Sequence, residues 1–130
     1  CFTFPVRVYY EDTDAGGVVY HARYLHFFER ARTEYLRTLN FSQQSLLQEQ
    51  QVAFVVKTMS IDYCIPAKLD DYLIVETEIT AVKGATILFE QRLVREAVVL
   101  SKATVKVACV DLGKMKPVAI PEELKAAFLK

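Results

Sequence analysis

Apolar residues recur along this chain with two different periods, and the change of period divides it. From Tyr24 they fall at positions 24, 28, 31, 35 and 39, with Leu25, Phe27 and Leu36 on the flanks. That is the spacing of an α-helix of about four turns. The opposite side carries His26, Glu29, Arg30, Thr33, Glu34 and Arg37, with Arg30 and Glu34 placed as an (i, i+4) pair. Ahead of the helix, Phe2 to Tyr10 reads as a strand, with Pro5 near its start where a missing N–H is tolerated. Beyond Gln51 the pattern turns extended and predicts strands over Val52 to Ile65, Tyr72 to Val82, Thr86 to Arg95 and Val98 to Asp111. Pro66 with Asp70-Asp71, Lys83-Gly84 and Glu96-Ala97 punctuate the junctions. These connections are too short for parallel crossovers, so the strands are antiparallel neighbours. Two short helices complete the pattern, one capped by Ser42 and running to about Gln50, the other opening at Pro121-Glu122-Glu123.

Strand, long helix and four antiparallel strands define an α+β protein in which a five-stranded antiparallel sheet wraps around a long central helix. The 130 residues suit one domain, 1–130. One helix leaves the far side of the sheet without cover, and Val105 to Val110 is apolar at too many positions for a solvated face. Part of the sheet is therefore expected to be buried against another subunit.

Composition narrows the function. At 52% hydrophobic and 25% charged, with no apolar run long enough to span a bilayer, the sequence reads as a soluble globular protein without membrane insertion. Sixteen basic residues balance sixteen acidic ones, so no net field favours nucleic acid, and an anionic partner must be held by a local cluster. Cys1, Cys64 and Cys109 lack metal-ligand spacing, and their odd count fits a reducing compartment, the cytoplasm, better than a disulfide framework. No metal is expected.

The chemistry concentrates between the first strand and the long helix. Glu11-Asp12-Thr13-Asp14 is a run of turn formers, Gly16 and Gly17 permit positive φ or close approach, and the chain regains order from Val18 to His21 at the helix start. A helix N-terminus offers unpaired N–H groups and partial positive charge, which favour a developing oxyanion. With a carboxylate such as Asp14 beside it, this is a minimal acyl-hydrolysis site: one part activates water or attacks a carbonyl, the other stabilises the negative oxygen. Such a site suits thioesters, whose thiolate leaving group has a conjugate-acid pKa of roughly 8.5 and departs with little protonation. A serine or cysteine triad is disfavoured, because the only histidines are His21 and His26 and neither has a nucleophile placed beside it.

The stretch YYEDTDAGGVVYHARYLHFFERARTEYL resembles the signature of the 4-hydroxybenzoyl-CoA thioesterase family of hotdog-fold proteins. FVVK at 54–57, PAKLDD at 66–71, KGAT at 83–86 and KMKP at 114–117 resemble its YbgC-type acyl-CoA thioesterases. The resemblance covers essentially the whole chain. It implies a catalytic role for Asp14 and, at His21, a backbone N–H that polarises the thioester carbonyl, with the histidine side chain assisting. It also implies a homodimer, paired into a homotetramer, with the active site at the dimer interface and coenzyme A held as part of the substrate rather than as a cofactor. Gly16, Gly17 and Val18 belong to the site-forming turn, Tyr10 and Tyr24 are candidates to border the acyl pocket, and Lys83 and Gly84 to contact coenzyme A. Proteins of this type resemble partners of acyl carrier protein and of the Tol-Pal envelope system.

Each assignment has a plainer counterpart. Asp14 also suits an Asx-turn, His21 a hydrogen bond to a neighbouring carboxylate, Tyr10 and Tyr24 ordinary packing, and Lys114 and Lys116 a solvated turn. Glu29 is placed to ion-pair with Arg30 or Arg32. Asp12-Thr13-Asp14 is similar to the nucleophile motif of haloacid-dehalogenase-type phosphatases, but that fold needs a parallel sheet, which the antiparallel run excludes. A hotdog hydratase and a non-catalytic acyl-carrier or envelope-complex binding protein are the remaining alternatives.

Overall fold

The computed structural model describes residues 2–38 and 52–120. β1 (Phe2–Arg7) leads through a 3-10 turn at Tyr10–Asp12 to helix α1 (Arg23–Thr38). There follow β2 (Val52–Tyr63), β3 (Tyr72–Lys83), β4 (Thr86–Arg95), β5 (Val98–Asp111) and the two-residue β6 (Lys116–Pro117). The sheet runs β1-β3-β4-β5-β2, with β6 added to β5, and every pairing is antiparallel. Register shifts between Val56 and Thr58, Ile79 and Ala81, and Leu93 and Val94 interrupt three of the ladders. Such bulges bend strands and increase their twist, which lets a sheet curl around a helix.

The core is one cluster. Tyr24, Phe27, Phe28, Ala31 and Leu36 of α1 pack with Leu73 and Val75 of β3, Ile87, Phe89 and Leu93 of β4, and Val105, Val107 and Cys109 of β5. Burial raises the Cys109 thiol pKa above its usual value. Alternate residues turn outward, and there the expectation of an apolar far side fails. Glu76, Glu78, Glu90, Arg92, Lys102 and Lys106 populate that face, and Arg92 Nε pairs with Glu76 Oε1 at 2.9 Å. In the run from Val105 to Val110, Val105, Val107 and Cys109 face the core, while Lys106, Ala108, already 6% exposed in the single chain, and half-buried Val110 turn outward. Exposed apolar surface lies instead on the edge strand β2, at Val55, Val56 and Tyr63, and beyond it at Ile65 and Leu69.

Boundaries shift for local reasons. β1 stops at Arg7 because Tyr9 N–H is taken by Asp12 Oδ2 at 3.0 Å, a local bond that competes with the ladder. β2 stops at Tyr63 because the amides of Cys64 and Ile65 both donate to Leu100 O. The Arg30–Glu34 pair is replaced by Glu34 with Arg37, one turn further on. Both predicted short helices lie outside the described residues. Among the described residues, no helix is long and apolar enough to cross a membrane.

One buried polar knot ties the helix to the sheet. Gln91 on β4 accepts from Arg32 Nη1 at 2.9 Å and donates to Phe28 O at 2.9 Å and to Thr77 Oγ1 at 3.0 Å. Gln91 is 1% and Arg32 8% exposed, and burial pulls the Arg32 pKa down while the charge of Glu29 opposes the shift. Gln91→Leu keeps the volume but takes away the side-chain partner of the buried Arg32 cation and of the Thr77 hydroxyl. A loss of about 2–4 kcal/mol is expected, read from the midpoint of urea denaturation.

Candidate active site

Two aspartates two residues apart in the joint have opposite fates. Asp12 is 5% exposed: its Oδ2 accepts Tyr9 N–H, its Oδ1 lies 3.8 Å from Arg23 Nε, and its carbonyl accepts Tyr20 N–H at 2.9 Å. It thus fastens both arms of the loop to the start of α1. Asp14 sits at the exposed tip. Its amide donates to Val18 O at 2.9 Å and its carbonyl accepts Gly17 N–H at 3.1 Å, with Gly17 at φ +81°, a conformation that favours glycine. One carboxylate oxygen accepts Gly16 N–H at 2.8 Å, the expected Asx-turn. Among the described residues the carboxylate has no other hydrogen-bond partner, so its second oxygen is open to solvent chemistry.

His21 lies in the turn just before the helix, two residues ahead of Arg23. Its ring packs against Tyr20 with centroids 4.5 Å apart and meets Tyr63 edge-on at 6.4 Å. Among the described residues nothing accepts from the amides of His21 and Ala22, whereas Arg23 N–H is used by Tyr20 O. These two N–H groups are the free donors of the helix entry. Tyr24, 3% exposed, accepts Ala67 N–H at 3.1 Å and stacks on Tyr63 at 5.0 Å.

These parts share one cleft of about 290 Å³, lined by Asp14, Val18, His21 and Tyr24 from the joint and by Tyr63, Cys64 and Ile65 from the end of β2 and the residues after it. Gly16 and Gly17 shape the loop that presents Asp14. Tyr10 is not brought in: it is 82% exposed on the 3-10 turn and does not line the cleft. Lys83 and Gly84 are not brought in either. The joint adjoins the first residue of β3 through the pairing of Arg7 with Tyr72, whereas Lys83 is the last residue of that 12-residue strand. At a strand's rise the two ends lie roughly 36 Å apart. Lys83 instead shares a surface cavity with Thr86 and Lys106. Glu29 lines a separate cavity of about 150 Å³ with Arg32, and neither an Arg30 nor an Arg32 ion pair to it forms among the described residues. The sequence pattern gave no warning of Tyr63 and its neighbours, because alternation along β2 does not say which strand end meets the helix.

A sheet curled around one helix, with an acidic loop at the helix entry, defines a hotdog-fold protein. The chain belongs to the thioesterase-like superfamily, whose family model matches residues 8–128. It is 83% identical over 127 residues to the acyl-CoA thioesterase YbgC of Haemophilus influenzae, covering 98% of this chain and 93% of that one. To the acyl-CoA thioester hydrolase YbgC of Escherichia coli it is 57% identical over 128 residues, covering 98% and 95%. Among solved structures, a probable thioesterase from Bartonella henselae is 39% identical with a TM-score of 0.87, covering 92% of this chain and 98% of that one. A 1,4-dihydroxy-2-naphthoyl-CoA thioesterase from Synechocystis is 27% identical with a TM-score of 0.93, covering 99% and 96%.

The loop's dependence on Asp12 is measurable. Asp12→Ala should cost about 1–3 kcal/mol in thermal unfolding and accelerate hydrogen exchange at the Tyr9 amide.

Proposed function

We propose that this chain is an acyl-CoA thioesterase that hydrolyses acyl-CoA to a free carboxylate and coenzyme A at the Asp14–His21 cleft. The observation that carries this reading is the meeting, in one cleft, of an exposed carboxylate that keeps a free oxygen with His21, whose amide and that of the adjoining Ala22 are the unpaired donors of the helix entry among the described residues. The 83% identity to the Haemophilus enzyme supports the substrate class.

With the thioester carbonyl at the amides of His21 and Ala22, the N–H groups and the helix dipole stabilise the negative oxygen of the tetrahedral adduct. Asp14 either takes a proton from an attacking water or adds to the carbonyl itself. Collapse of the adduct breaks the C–S bond and releases a thiolate, which takes up a proton from solvent. In the second route, water then opens the mixed anhydride. A single turnover in ¹⁸O water that leaves label in Asp14 establishes the nucleophilic route with water opening the anhydride at the Asp14 carbonyl, which general-base catalysis cannot produce. The free thiols Cys64 and Cys109 suit a reducing cytoplasm.

Coenzyme A needs cationic contacts, which the cleft-lining side chains among the described residues do not provide, and a second copy would supply them. β2 is a 12-residue edge strand with Val55 and Val56 exposed. Two such edges pairing about a twofold axis run antiparallel. The start of one β2 then lies against the end of the other. The Lys83 turn stands at the start of β2, since Thr86 pairs with Ala108 and Ala108 with Val55. A homodimer therefore brings the Lys83, Gly84 and Lys106 end of one copy to the cleft of its partner, where those groups would hold the coenzyme's phosphates. An acidic acyl carrier protein would meet the same lysines together with Lys114 and Lys116. The mixed charges of the outer sheet face offer a surface for pairing dimers into a tetramer.

Asp14→Asn should lower the release of free thiol, followed with a chromogenic disulfide, by about a thousandfold or more while the circular dichroism spectrum stays unchanged. Retention of wild-type turnover would overturn the assignment. His21→Ala is expected to cost only about tenfold, because the backbone donors survive. Lys83→Glu should raise KM for acyl-CoA roughly tenfold and leave kcat in place, the pattern of a lost binding contact.

A further inference from the structure

Tyr63 is the last residue of β2, and its hydroxyl donates to the His21 carbonyl at 3.0 Å. The carbonyl is exposed, so solvent could satisfy it equally well, and burial does not explain the bond. The phenol is not free to wander: its ring stacks on Tyr24, which is itself fixed by burial and by the Ala67 amide. A held donor thus replaces a mobile water at one particular peptide.

That peptide unit joins His21 to Ala22. Among the described residues every peptide bond is trans, so its carbonyl and the Ala22 N–H point in opposite directions. A hydrogen bond to the carbonyl draws electron density across the peptide and strengthens the N–H as a donor. Ala22 N–H is one of the two unpaired amides at the helix entry. We infer that Tyr63 is a positioning residue for thioester hydrolysis: it fixes the plane of the His21–Ala22 peptide and strengthens Ala22 N–H as a second oxyanion donor beside His21 N–H. This rests on the reading of the cleft given above. The hydroxyl remains a donor through neutral and mildly alkaline pH, because burial and the adjacent Tyr24 raise its pKa.

Tyr63→Phe keeps the stacking ring and deletes only the hydroxyl. Removing an oxyanion donor outright costs on the order of a hundred- to a thousandfold in kcat, so weakening one should cost roughly three- to tenfold, with KM within about twofold. In the Asp14→Asn background, which holds the thioester uncleaved, the bound carbonyl stretch should lie below its solution value and move part of the way back on adding Tyr63→Phe. An unchanged kcat, a rise in KM alone, or a carbonyl stretch insensitive to Tyr63 would each overturn the inference. Turnover by Asp14→Asn itself would mean that the cleft has been misread, a separate failure from that of Tyr63.

Discussion

The structure depends on burying one face of a single helix inside a bent sheet. Phe27 and Phe28 are 1% and 0% exposed, and α1 is the one long helix among the described residues available to cover the concave face. Burying each such side chain is worth roughly 1.5–3 kcal/mol, more than any surface ion pair in the molecule can supply. The helix cannot shift along the sheet without exposing them, so its N-terminus is fixed in space by forces that have nothing to do with chemistry. The loop at that end inherits a rigid platform.

On that platform the loop separates two roles that one residue type could have filled. Asp12 has its carboxylate committed to Tyr9 and Arg23 and is withdrawn from solvent, whereas Asp14, two residues on, gives up one oxygen to its own turn and keeps the other. Hydrogen bonds from N–H groups fix the orientation of a carboxylate. A site that needs both an anchored loop and a reactive oxygen achieves this by dividing the work between neighbours. Gly16 belongs to the same arrangement, since a Cβ there would come within 3.3 Å of Asp14 Oδ1.

The long elements were legible because their periods are unambiguous: β4 and β5 begin and end where alternation and turn residues place them, and α1 begins one residue before Tyr24. Their ends were less so where a side chain outbid the ladder, as Asp12 does at β1. The far side of the sheet was misjudged because Val105, Val107 and Cys109 are all core-facing, while Lys106 between them was given too little weight. At the site, Asp14 and His21 could be read from the acid-glycine-helix order, which is local. Tyr63 could not, because its place depends on how β2 comes to end against the helix entry, and the separation of Lys83 from the cleft of its own chain was hidden for the same reason: distance along a strand is invisible to a motif.

The knot at Gln91 carries a mechanical consequence. Its three bonds join one atom group on β4 to two successive turns of α1 and to β3, so it acts as a stop against sliding. A slip of one residue along the helix axis is about 1.5 Å, half the length of a hydrogen bond. That small travel would carry the amides of His21 and Ala22 out of reach of a carbonyl held by the loop, with no change at either end of the cleft itself. A glutamine that never meets the substrate therefore sets the tolerance to which the molecule is built.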